Sequence, residues 1–99
     1  MNMQNLMAQA KKIQKEIEQA QEEIDNTIYE GKSEWVVVTM SGKREINSCN
    51  INKDSLNDPE DIEMLQDMII IAMNDALKKI DDDTDKKLSK YGSGLNGLM

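Results

Sequence analysis

Apolar positions recur through the first quarter of the chain with a strict rhythm. Met3, Leu6, Ala10, Ile13, Ile17, Ala20 and Ile24 are spaced by three and four residues in alternation, a heptad seam over three repeats. Gln, Lys and Glu, all good helix formers, fill the positions between. The spacing predicts a helix from about Asn2 to Asp25. Its seam is narrow and its other faces are polar, so it projects from a small body or pairs with another helix.

The rhythm then changes. Thr27-Ile-Tyr-Glu30 reads as a short edge strand closed by Gly31. Trp35-Val-Val-Val-Thr-Met40 is aromatic and β-branched, a strand signal. Ser41-Gly42 is a turn, and Lys43 to Ile51 alternates in part, with Ile46, Cys49 and Ile51 as apolar members, which completes a hairpin. The Asn-rich stretch NINKDSLND is a loop.

A second helical period opens at Asp58-Pro-Glu-Asp-Ile-Glu. Proline suits the first helical position, where its missing N–H would go unbonded anyway. Asp58 is the expected N-cap, and Glu60, Asp61 and Glu63 meet the positive end of the helix dipole. Ile62, Leu65, Ile69, Ala72, Ala76 and Ile80 form the stripe, widened by Met68, Met73 and Leu77 to what packing on a sheet needs. Past Ile80 the stripe thins to Leu88; Asp81–Asp85 is acidic and weakly helical, and this half is expected to project into solvent. The tail Gly92-Ser-Gly-Leu-Asn-Gly-Leu-Met99 has no period and reads as a flexible, Gly-rich end to a single domain spanning residues 1–91.

The order predicts an α+β fold, α-β-β-β-α, with two long helices flanking a small three-stranded antiparallel sheet. Three strands cannot bury both stripes and protect their own edges, so a homodimer is the economical arrangement. Its expected interface residues are Trp35, Val36, Val38, Met40 and Ile46.

With 99 residues the chain makes one domain with a modest core. Phe is absent and there are 8 Met, so the core is aliphatic with adaptable filler. Cys49 is alone and His is absent, which leaves no internal disulfide and no His-partnered nucleophile or metal ligand; the thiol reads as buried or half-buried. The helix-start reading of Asp58–Glu63 accounts for its acids, and Asp58, Asp61 and Glu63 do not share one helical face, so a carboxylate metal site is disfavoured. A carboxylate metalloenzyme at residues 58–63 is the least expected reading. The start MNMQNLMAQAKK lacks the apolar core of a secretory leader, and the longest pure apolar run, Met68–Met73, is six residues, too short to span a membrane. The chain reads as cytoplasmic and soluble.

The net charge of −7 argues against general attraction to polyanions, but it is unevenly spread. Residues 1–15 hold Lys11, Lys12 and Lys15 and no acid; residues 16–30 hold six acids and no base, as do residues 58–75. From Ala76 onward five Lys face four Asp.

Several segments, in order, resemble the YbaB/EbfC family of bacterial nucleoid-associated proteins. These are NMQNLMAQAKKIQKEIEQAQEEI, VVVTMSGKREINSCNI, DPEDIEMLQDMIIIAMNDALKK and the ending GSGLNGLM. The resemblance covers nearly the whole chain and implies a tweezer-like homodimer with the helices as arms. It also implies double-stranded DNA binding in the cytoplasmic nucleoid, with a role in nucleoid organisation or gene regulation, and with no enzyme activity, cofactor or small-molecule substrate. The chain departs from the family at Gly31-Lys-Ser-Glu-Trp35, which has one Gly where the family has a Gly-rich loop. Trp35 reads as a sheet or interface residue in preference to a base-stacking one.

Phosphate binding depends on local cation density and counterion release. The candidate DNA contacts are Lys11, Lys12 and Lys15 on the first helix, joined by the N-terminal amine, and Lys78, Lys79, Lys86, Lys87 and Lys90 on the last. No array of base-reading side chains is present, so weak, salt-sensitive binding with little sequence preference is expected. The alternative is a helical module that docks another polypeptide along the seam of residues 3–24.

Overall fold

In the computed structural model, residues 2–91 are described. Helix α1 (Met3–Asp25) leads into strands β1 (Ile28–Lys32), β2 (Val36–Ser41) and β3 (Ile46–Ile51); helix α2 (Pro59–Leu88) follows and ends in a short 3-10 turn, Ser89–Tyr91. The strands form one antiparallel sheet in the order β1-β2-β3. The expected α-β-β-β-α order is therefore present. The expectation for residues 92–99 lies outside the described residues.

Both helices start as their sequences require. The Asn2 side chain accepts from Gln4 N–H at 3.0 Å. Asp58 is extended (φ −100°, ψ 146°) ahead of Pro59, and its N–H reaches the Asp61 carboxylate at 3.4 Å. The acidic run is the first turn of α2, and no group of three or more His, Cys, Asp or Glu among the described residues is placed to hold a metal.

The core forms where α2 crosses β1 and β2. Val36, Val38 and Met40 point at the helix, where Ala72, Ala76 and Ile80 meet them, with Tyr29 from β1. Small residues at 72 and 76 let the helix backbone close on the sheet. Gly31 completes the fit: a Cβ there would overlap the Ala72 carbonyl oxygen and come within 2.8 Å of the Ala76 Cβ. Gly31 is thus inside β1, paired with Val38, and does not terminate the strand as its position suggested. A second close approach is at Gly42, where a Cβ would overlap the carbonyl of Ile24 at the end of α1. The turn runs through Arg44, whose φ of 67° is left-handed, so β3 begins at Ile46 and not at Lys43.

Two expectations are corrected by what α2 covers. Val36, Val38 and Met40 lie beneath α2 in the chain's own core, so their side chains are not on an open sheet face. Cys49 is exposed, because β3 lies beyond the helix's cover. Asp81–Asp85 is regular helix. Ion pairs at i,i+4, Lys78–Asp82 at 2.9 Å and Lys87–Asp83 at 3.1 Å, offset the poor propensity of the Asp run.

Candidate nucleic-acid interface

The two helices meet side by side at their C-terminal ends. Glu23 of α1 lies 3.3 Å from Lys87 of α2. Ile24, next along, is buried against the β2–β3 turn. Helix α1 therefore enters the body at its C-terminal end while α2 leaves at its own, so the pair is antiparallel and both helices extend to one side. The molecule measures 72 × 22 × 14 Å. A 30-residue helix spans only about 45 Å, so the first half of α1 reaches beyond α2. Along that half the seam is bare: Met3 is 75% exposed, Leu6 43% and Ile13 47%.

The eight predicted lysines separate into different environments. Lys11, Lys12 and Lys15 are exposed on the projecting part of α1, and none makes an ion pair among the described residues. Lys11 and Lys15 share a helical face. The N-terminal amine belongs to Met1, outside the described residues. On α2, Lys78 is paired with Asp82, and Lys79 with Asp75 at 3.4 Å while it donates to the Glu30 carbonyl at 2.6 Å. Lys87 is shared between Asp83 and Glu23. Lys86 and Lys90, near the end of α2, have no ion pair among the described residues; Lys90 Nζ stands 5.2 Å from the Tyr91 ring.

A cation already held by a carboxylate has less charge to offer a phosphate and releases fewer counterions on binding. Three of the five C-terminal lysines are thus compensated by carboxylates, whereas Lys11, Lys12 and Lys15 on α1, and Lys86 and Lys90 near the end of α2, have no ion pair among the described residues. The Asp82 carboxylate, by hydrogen bond and charge, raises the Lys78 pKa, which records the same pairing.

Sequence reasoning missed the side chains that fix the arms. Tyr29 Oη donates to Asp83 Oδ2 at 2.5 Å. Burial, then that bond to Asp83, pushes the Tyr29 phenol up; the Tyr29 hydroxyl, with help from Lys87, holds Asp83 below the usual carboxylate range. Arg44 pairs with Asp81, tying the β2–β3 turn to α2. Asp75 accepts the Lys32 backbone N–H at 2.9 Å, the main reason its pKa is lowered. These partners are up to 54 residues apart, and nothing local marks them.

Of the expected interface residues, two stay accessible. Ile46 is 49% exposed on β3, and Trp35 is half-buried just before β2, with Lys53 Nζ 4.5 Å from its ring. Ile51, opposite Val36, is 44% exposed and continues the apolar strip of β3.

The profile of the YbaB/EbfC DNA-binding family matches residues 1–95. The chain belongs to that family. A nucleoid-associated protein of Lactococcus lactis subsp. cremoris is 52% identical over 97 residues, covering 96% of this chain and 97% of the relative. One from Enterococcus faecalis is 43% identical over 99 residues, covering 98% and 94%. Among solved structures, an uncharacterized protein from Helicobacter pylori superposes with a TM-score of 0.69 at 30% identity, covering 100% of this chain and 99% of that one. No helix among the described residues is long and apolar enough to cross a membrane.

Proposed function

We propose that this chain binds double-stranded DNA as a homodimer, with low sequence specificity, and serves nucleoid organisation or gene regulation in the cytoplasm without enzymatic activity. The observation that carries the reading is the uncompensated cluster Lys11, Lys12 and Lys15 on a projecting helix of a chain that belongs to a DNA-binding family. The cluster offers point charges for phosphates and no bidentate base contacts, which favours affinity without sequence readout. Duplication in a dimer gives two such tips.

The dimer reading is supported by β3. Its residues Ile46–Ile51 are uncharged and lie at a sheet edge, with exposed Ile46 and Ile51. Edges that stay single are normally blunted by charge or covered. A second copy seated there covers both the edge and the strip.

The test is fluorescence anisotropy of a labelled random-sequence 30-mer duplex, titrated at low and then moderate salt. Binding should fall steeply with salt and be lost when Lys11, Lys12 and Lys15 become Glu. Absence of binding at low salt would overturn the reading. The bare seam of α1 favours a second one, docking of another polypeptide. That binding would survive high salt and fail with Ile13→Asp or Ile17→Asp.

A further inference from the structure

Lys87 differs from the other paired cations of α2. Among the described residues it alone links the two helices by an ion pair, through Glu23 at 3.3 Å. It also holds Asp83 at 3.1 Å, and Asp83 accepts from Tyr29 on β1. Glu23 and Tyr29 flank the connection between α1 and β1, so the chain Glu23–Lys87–Asp83–Tyr29 grips that connection from both sides. The Lys87 side chain is 27% exposed and Asp83 25%, while Lys78 is 74% exposed. Ammonium donors shared between two carboxylates in such a half-buried place are poorly available to phosphate.

We propose that Lys87 is a positioning residue: it sets the angle at which α1 leaves the body and so places Lys11, Lys12 and Lys15 against DNA. The lever is long. Lys11 lies twelve residues from Glu23, about 18 Å of helix, and a swing of about 10° at the clasp displaces it by about 3 Å. Phosphates have fixed spacing, so such a displacement breaks their match to a cluster of cations. The proposal rests on the DNA-binding reading above.

Glu23→Ala separates the two roles by sign. Simple electrostatics says that removing a negative charge near a phosphate-binding cluster tightens binding. Loss of the clasp weakens it, by roughly threefold for a half-exposed ion pair. Lys87→Met should weaken binding similarly and leave the slope of log affinity against log salt unchanged, and Lys87→Arg should restore it. Hydrogen exchange supplies the readout independent of DNA: α1 amides should exchange faster in Glu23→Ala and Lys87→Met, while β2 amides keep their wild-type rates. A slope reduced by about 0.9 for Lys87→Met, with unchanged α1 exchange, makes Lys87 a phosphate contact and overturns the proposal. Tighter binding by Glu23→Ala overturns it too. If the wild-type protein binds no DNA, the functional reading falls, and exchange alone decides the clasp: faster α1 exchange upholds it and unchanged exchange overturns it.

Discussion

Helix α2 over the sheet and the first half of α1 carry apolar stripes of similar period, yet one is a core and the other is bare. Ala72, Ala76 and Ile80 are buried, whereas Met3, Leu6 and Ile13 stand in solvent. The difference lies in what faces each stripe. α2 meets Val36, Val38 and Met40 on a sheet with a glycine cut out for its backbone. The first half of α1 has no facing surface among the described residues. A hydrophobic period thus specifies a helix and the face it offers, while burial depends on a complementary surface elsewhere in the sequence. The charges follow the same division: lysines near the body are paired with acids, and those on the bare arm are not.

The comparison breaks most sharply at Gly31. Gly31→Val drives a side chain into the α2 backbone and should cost about 3 kcal/mol or more, read as a lower urea midpoint. Met40→Ala, on the same interface but leaving a cavity, should cost about 2–4 kcal/mol. If Gly31→Val melts like wild type, the close seating of α2 on β1 is wrong.

Next in size is the arm's charge. The triple change of Lys11, Lys12 and Lys15 to Glu should leave the thermal midpoint within a few degrees. It should reduce DNA affinity at least tenfold, about 1.4 kcal/mol, at low salt. The salt slope should fall by about 0.9 for each lysine that touches a phosphate. Equal loss from Lys78→Glu and Lys79→Glu would erase the distinction between paired and unpaired cations.

Acid should weaken the α2 side selectively. Asp75 and Asp83 have folded pKa values below the ordinary carboxylate range, so they bind fewer protons folded than unfolded around pH 4. Their contribution is complete above the ordinary carboxylate range and is lost as pH falls below about 4 through the lowered values. Tyr29 has the opposite sign: its raised value adds stability below about pH 10 that disappears as pH rises through the folded pKa. Melting curves should therefore be flat between pH 6 and 8 by these groups and fall in acid, less so in Asp83→Asn, which has no carboxylate left to protonate. An equal fall in both would remove Asp83 from the account.

How far these features were legible varies with their range along the chain. Both helices and their starts were readable, since caps, proline and period are local. The place of β2 was readable from Val36–Val38, but its two faces were not assignable, because all three valines look alike until α2 is laid on one side. That is why Val36, Val38 and Met40 suggested an interface and are instead core. A glycine such as Gly31 marks either a close backbone approach inside a strand or a strand end, and only the position of α2 distinguishes the two. The split among the lysines was not readable, because Lys87–Glu23 joins residues distant in sequence. Lys78–Asp82, Lys79–Asp75 and Lys87–Asp83 show the i,i+4 spacing that marks such pairs locally.

The smallest expected effect sharpens the contrast most. Ile80→Ala and Ile13→Ala delete the same atoms from two helices. The first removes a side chain that is 1% exposed and opens a cavity against Tyr29 and Met40, costing about 2–5 kcal/mol. The second removes one that is 47% exposed, and in the isolated chain it should change stability by less than about 0.5 kcal/mol. Alanine is also the better helix former, so the sign can even favour the variant. Repeating the Ile13→Ala measurement over a range of protein concentrations adds the decisive comparison. A cost that stays below about 0.5 kcal/mol at every concentration means that no second copy covers the seam. A cost that grows with concentration means a second copy covers the seam, because a contact between copies stabilises only in proportion to their association. In that case the arm is bare only within one chain, and its apolar period is explained by the same rule of a facing surface that governs α2.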